Sequence, residues 1–510
     1  MSMKSWKLHG RCKNALSRAA VQLVLSVFAA QTMLAQPVLG VGNDLPDIGS
    51  PADTLLSKDR ELQIGRSIYK SLRDADRIVI DPEVQEYIQN LGQRLAANAQ
   101  DGDFNFNFFV VDDLAVNAFA LPGGYVGIHS GLLLETKNES ELAGVMSHEI
   151  SHVTQRHISR AIYASKQASI LTIAAMLGAI LIGAATGSSD IITGGLAGAQ
   201  SLAAQQQIDF TRANEYEADR VGVAVLAAAD FDPYGMPNFF ETLARKSGPL
   251  ASQAPEFLRT HPVTTNRIAE TRARAAQYPE TESTDATSYS LTRARLRLMV
   301  SRTPEAAMEY FTGHLDNPDR VGDIGIEYGL ALVRLELGQY DDAYESFQDL
   351  LNSNEAIIHF HTGLAASQLA LGDEDAAFST YRNAMRLFPR NVPLTIRYAE
   401  ALMQYGQPDK AHAALLDLYN QVPPTAEQVR LIALAASGAG DTADAHYYMA
   451  EYHLLRGDLM MATDQLYLAL GIPELDPVQK ARFLSRLEQI QEYMPERARR
   501  HGKEEDSTRN

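Results

Sequence analysis

Ser147-His148-Glu149-Ile150-Ser151-His152 carries the pattern H-E-x-x-H. On a helix, residues four apart stand one above the other on the same face. His148 and His152 then reach one tetrahedral zinc ion. Glu149 is placed to take a proton from a water held by that ion. The chemistry on offer is hydrolysis by a metal-activated water, and the pattern means this only in a helix. Asn138 followed by Glu141 has the shape of a capping box, with Asn in place of Ser or Thr. Leu142, Val145, Met146, Ile150 and Val153 recur at helical spacing. His157 comes nine residues after His148, so the same helix would turn it to the opposite side, and it is not counted as a ligand.

A catalytic zinc needs a third protein ligand and an open position for water. The chain's single cysteine is Cys12, inside an apparent leader, so the ligand must be His, Glu or Asp. In Asn214-Glu215-Tyr216-Glu217-Ala218-Asp219, Glu215 and Asp219 are four apart and share a helical face. Glu217 lies about 200° round the helix from Glu215 and is expected in solvent. Glu215 is the candidate ligand, and Asp219 the candidate acceptor for a ligand histidine's second N–H. A surface carboxylate is the competing reading of Glu215, and its distance from the motif does not decide between them.

The elements that must position these groups come from the whole chain. Its 510 residues suggest two to four domains. Residues 1–35 read as a secretory signal peptide: Lys4, Lys7, Arg11, Lys13 and Arg18 precede the apolar run Ala19–Ala35. Its removal takes the net charge from −18 to −23, which argues against nucleic acid as a partner. Leu56–Leu72 and Pro82–Ala97 pattern as helices, and Phe104–Phe108 alternates as a strand with one buried face. Asn117-Ala118-Phe119-Ala120 and Tyr125–His129 form the arms of a hairpin around Pro122-Gly123-Gly124. Such an edge strand beside a metal site can hold an extended peptide through its main chain. Ala168–Ala185 is uncharged and long enough for a membrane span. A single crossing there would separate His148 from Glu215, so a buried or interfacial hairpin over 168–204, touching a membrane surface peripherally, is the favoured expectation.

Asn117 to Gly124, His148 to His152, and Glu215-x-x-x-Asp219 resemble, in that order, the peptidase family that includes HtpX and the CAAX prenyl proteases. The resemblance covers residues 45–275 and is nearest to its periplasmic branch with C-terminal repeats. It implies one zinc per chain on His148, His152 and Glu215, Glu149 as base, and an endopeptidase fold with the hairpin over the cleft. Thr260-His261-Pro262, followed by Arg267, also resembles this group. His261 then offers a fourth ligand that would close the site and restrain it, or a donor to the developing oxyanion. The resemblance further implies a periplasmic location, with outer-membrane proteins and their assembly machinery as partners.

The C-terminal half repeats. Gly338, Gly372, Gly406 and Gly440 are 34 apart, and Ala343, Ala377, Ala411 and Ala445 keep the same step. That is the tetratricopeptide period, and such arrays stack into solenoids that bind proteins. Gly457 and Ala462 repeat the offset 17 residues later, so a helix near 443–455 would serve two neighbouring pairs. His359 and His361, two apart, cannot share a helical face and are not a metal pair. The expected architecture is an α+β zinc metallopeptidase domain, mostly helical with a small sheet (45–275). A helical linker (276–304), an all-α repeat domain (305–490) and a charged tail (491–510) follow. The expected function is that of a secreted zinc endopeptidase in outer-membrane protein quality control. The alternative is a repeat-based chaperone or adaptor with a largely silent protease site; the repeats would serve either by recruiting protein partners.

Overall fold

The computed structural model describes residues 56–99, 104–165, 202–246, 255–279, 281, 286–315, 323–473 and 475–493. The leader, most of 168–204 and the tail beyond 493 lie outside the described residues. Among the described residues, no helix is long and apolar enough to cross a membrane.

Helices α1 (Lys58–Asp74) and α2 (Pro82–Ala96) precede a three-stranded sheet of β1 (Asn107–Val111), β2 (Ala118–Leu121) and β3 (Tyr125–His129). The strand order is β1-β3-β2, with β1 parallel and β2 antiparallel to β3. The first strand begins three residues later than the Phe-Asn alternation predicts. Its two faces feed two cores: Phe108 and Val110 join α2, while Phe109 and Val111 pack on Ile68 and Leu72 of α1. A strand buried on both faces reads as a continuous apolar run rather than an alternation. The hairpin is as expected, with Gly123 and Gly124 at φ 78° and 88° in its turn. It leaves β2 at the sheet edge.

Beyond α3 (Ser130–Glu135), α4 (Glu139–Thr154) carries the motif through the core. Asn138 caps it by accepting from Glu141 N at 2.9 Å. The Glu141 carboxylate takes Lys137 N rather than closing the capping box. Helices α5 (His157–Ser165), α6 (Leu202–Ala228), α7 (Gly235–Lys246), α8 (Glu256–Thr260) and α9 (Thr265–Ala275) complete this half. Gly222 of α6 faces the motif: a Cβ there would stand 3.1 Å from His148 N and 2.7 Å from Met236 Cε. Its absence lets α6 lie close against α4.

Residues read as a linker form α10 (Thr287–Val300), which is buried on two sides. Tyr289 belongs to the core around α4, and Leu291 to the core of the first repeats. α11 (Pro304–Leu315) follows, then four helix pairs: α12 (Ile324–Glu336) with α13 (Tyr340–Ser353), α14 (Ile358–Ala370) with α15 (Glu374–Leu387), α16 (Val392–Gln404) with α17 (Pro408–Tyr419), and α18 (Ala426–Gly438) with α19 (Thr442–Leu455). The repeating glycines all stand at φ between 70° and 85°, the left-handed conformation that ends the first helix of a pair. The repeating alanines are buried where helices cross. As the 17-residue step predicts, α19 packs on both α18 and α20 (Leu459–Leu470). The described chain ends with α21 (Pro477–Tyr493).

Candidate metal centre

α4 buries fifteen of its sixteen residues, including His148 and Glu149. Fully buried ionisable side chains are rare unless paired or functional. The structure brings His148, His152, Glu215 and His261 together, with one ligand atom from each lying within 4.8 Å of all the others. His148 Nε2 and His152 Nε2 are 3.0 Å apart. Glu215 Oε1 is 3.4 Å from His152 Nε2, and Glu215 Oε2 is 3.6 Å from His148 Nε2. His261 Nδ1 sits 3.1 Å from both Glu215 oxygens and 3.4 Å from His148 Nε2.

Supports stand behind these groups. Asp219 Oδ1 is 3.0 Å from His148 Nδ1. Arg267 grips Asp219 with two bonds of 2.7 Å, and its Nη1 reaches Glu215 Oε2 at 2.9 Å and Pro262 O at 2.9 Å. Burial resists protonation of His148, but Asp219 and Glu215 outweigh it and raise its pKa to about 9. Burial holds His152 well below the usual histidine range, against the pull of Glu215. Burial would raise Glu215, but His261 and His148 hold it well below the usual carboxylate range. Asp219 is likewise lowered against burial, chiefly by Arg267 and then by His148.

Two positions differ from expectation. His157 does not turn away from the motif. α4 stops at Thr154, Arg156 adopts φ 52°, and the chain doubles back to lay His157 Nδ1 2.8 Å from His152 Nδ1. Glu217 is not simply solvated: it bonds His157 Nε2 at 3.2 Å and Arg160 Nη1 at 2.8 Å. The sequence hides both contacts, because a helix continued past Thr154 places His157 on the wrong side, away from Glu217. Only the family resemblance points to Arg267; nothing local in the sequence marks it as the buried partner of two carboxylates.

The donor set suits a divalent ion of zinc's preferences, being two or three imidazoles and a carboxylate. Glu149 Oε1 fits as well: it is buried and has no hydrogen-bond partner among the described residues. It lies 3.5 Å from His261 Nε2. Of the candidate substrate strand, Asn117 is buried with Oδ1 unpartnered among the described residues, and its carbonyl accepts from His129 N at 3.0 Å. By the antiparallel alternation, Phe119 then faces β3 with its main chain, while Ala118 and Ala120 turn theirs to the open edge. Just before β2, Val116 O accepts from Phe257 N at 3.0 Å, docking α8, the helix that leads into His261, beside the strand.

A sheet-edge strand over a buried histidine–carboxylate cluster, followed by tetratricopeptide pairs, defines a metallopeptidase with a helical-repeat array. Comparison with known proteins agrees. The model of peptidase family M48 matches residues 82–275, and a tetratricopeptide-repeat model matches 368–435. A relative from Vibrio cholerae is 36% identical over 88% of this chain and 92% of its own length. Relatives from Yersinia pestis and Escherichia coli K12 are each 33% identical, over 92% of this chain and 96% of theirs, and are named beta-barrel assembly-enhancing proteases. The chain belongs to this group of peptidase family M48.

Proposed function

We propose that the chain is a zinc endopeptidase of the periplasm that acts in outer-membrane protein assembly, with its repeats recruiting protein partners. The convergence of His148, His152 and Glu215 around one point carries this reading. When bound there, zinc supplies a polarised water and a Lewis acid for the scissile carbonyl. Glu149 accepts the water's proton and returns it to the leaving amine. Ala118 and Ala120 hold the substrate strand through their outward main-chain groups. Asp219, fixed by Arg267, keeps His148 oriented. The leader supports a periplasmic location, and the relatives' name, beta-barrel assembly-enhancing protease, supports a role in assembling outer-membrane proteins. Repeat-bound partners would raise the local concentration of substrate at the cleft.

Metal analysis with a casein-type assay tests the proposal. The parent should bind a single divalent ion and cleave. Glu149→Gln should keep the ion and lose about 10²- to 10⁴-fold in rate. A parent that takes up no ion would sink the enzymatic reading.

The position of His261 favours a restrained resting state. It completes a four-donor set, and its helix occupies the flank of the substrate strand. His261→Ala should cleave faster than the parent; an equal or slower rate argues against restraint. Should a cellular role survive Glu149→Gln intact, the repeat-based chaperone or adaptor reading gains.

A further inference from the structure

We propose that His157 is a positioning residue for the metal site. With Glu217 it forms a hydrogen-bonded strut that holds His152 in the tautomer and ring orientation that ligation requires. The inference rests on the metal reading above and goes beyond its ligand set.

The fold invests in placing this ring. Arg156 takes a left-handed conformation, uncommon for a non-glycine residue, to reverse the chain after α4. Its guanidinium is tied to Glu61 Oε1 at 2.9 Å and to Leu56 O at 2.8 Å. The Ser159 hydroxyl donates to the same Glu61 carboxylate. The elbow is thus clamped from α1 on both sides of His157. The result sets the His157 ring across that of His152, with centroids 4.8 Å apart and planes at 77°.

Proton bookkeeping then assigns the strut. A neutral imidazole carries one N–H. His152 Nε2 faces the cluster and must offer a lone pair there, so its proton sits on Nδ1. That N–H donates to His157 Nδ1, 2.8 Å away. His157 therefore carries its own proton on Nε2 and donates it to Glu217 Oε2 at 3.2 Å. Arg160 Nη1 lies 2.8 Å from the same oxygen and fixes the far end of the strut. Each atom in the line has a single consistent role. Glu217 is on α6, two residues from Glu215, and points elsewhere round that helix. One helix thus supplies both a ligand and the far anchor of another ligand's support. The two histidines of the motif are served differently: His148 meets its carboxylate, Asp219, directly, whereas His152 reaches one through an intervening imidazole.

Competition for zinc with a chromophoric chelator tests this on the full chain, with the visible spectrum of the cobalt-loaded protein as a second readout. His157→Leu should weaken metal binding about ten- to 100-fold, the range seen when such supports are lost. It should also shift the cobalt spectrum. His157→Asn, whose Oδ1 falls near the place of Nδ1, should recover most of the affinity and the parent spectrum. A strut of purely structural value would not discriminate between these two replacements. Parent-like affinity in His157→Leu, or equal losses in both, would overturn the proposal. If circular dichroism shows that His157→Leu does not fold, Glu217→Gln decides: a several-fold loss supports the strut, and parent affinity overturns it. A parent that binds no divalent ion fails the underlying metal reading, a result distinct from any difference among variants.

Discussion

Where the repeats meet the peptidase half, Asp81 and Glu83 at the start of α2 face Arg295 of α10 and Arg397 of α16. Arg397 binds Glu83 Oε2 and Asp81 Oδ2, each at 2.8 Å, and Arg295 binds Asp81 at 2.5 Å. At the motif, Glu215 and Asp219 face three histidines and Arg267. Both clusters are buried and both mix acids with bases. They differ in what is left over. At the join, two guanidiniums meet two carboxylates with oxygen aimed at nitrogen, and burial cannot lift Asp81, which Arg295 and then Arg397 hold well below the carboxylate range. At the motif, imidazole nitrogens crowd one another at 3.0 Å, and Glu149 Oε1 has no hydrogen bond among the described residues. The arginine–carboxylate pairs of the join are complete within the chain, although Glu86 beside them has no cation and buried His359 Nε2 no hydrogen bond among the described residues. The motif is arranged for something the chain does not itself supply, and that distinguishes a site from a joint.

The largest effect should come from breaking the join. Arg397→Ala leaves Glu83, 1% exposed at its side chain, beside one fewer cation. Removing one partner of a buried pair costs about 3–5 kcal/mol. The low end is expected, because the Arg397 side chain keeps 26% of its exposure and Arg295 remains near. Denaturant unfolding of the parent and the variant measures it. A loss below about 1 kcal/mol, the worth of a surface pair, would show that the join is no buried pair in energetic terms.

Next in size is the response to metal. Zinc at 100 times its dissociation constant should stabilise the parent by about 2.7 kcal/mol. His152→Ala should lose this gain, and a chelator should reverse it in the parent. Arg397→Ala should keep it, since the join takes no part in binding. Equal stabilisation of parent and His152→Ala would show that the ion binds elsewhere.

These two clusters also differ in how far the sequence exposes them. The motif histidines are four apart, so helical geometry alone stacks them; the same rule puts Glu215 and Asp219 on one face, but only the family resemblance brings Glu215 to the motif. Features that depend on a break in the regular pattern were hidden. The reversal at Arg156 is one, since nothing in Gln155-Arg156-His157 announces a left-handed residue. The strand at 107–111 is another, because its second buried face removes the alternation that marks a strand. The join was invisible for a different reason: Asp81 and Arg397 are 316 residues apart, and neither lies in a motif. The repeats were the most legible part, because each Gly and Ala position is written several times over.

The smallest effect concerns Glu86, an acid at the join that meets no cation among the described residues. Glu86 accepts from Asn391 Nδ2 at 3.1 Å. Burial, reinforced by the nearby charge of Glu83, lifts its pKa from 4.5 to about 7 despite that bond. Folded Glu86 therefore keeps a proton that the unfolded chain has already lost between about pH 4.5 and 7. Its contribution to stability is whole in acid and fades as pH rises through about 7. Glu86→Gln cannot ionise, so it should match the parent near pH 5 and exceed it at pH 8. The full shift sets a ceiling of about 3 kcal/mol, and partial exposure of the group brings the expectation nearer to about 1–2 kcal/mol. Buried His359 titrates with the opposite sign: burial depresses it to about 4, and its contribution is lost as pH falls from about 6.5. It titrates alike in both proteins, so the difference between their unfolding curves across pH belongs to Glu86. A constant difference from pH 5 to 8 would mean that Glu86 has found a cation after all, and the join would then be as fully matched as its two arginine pairs.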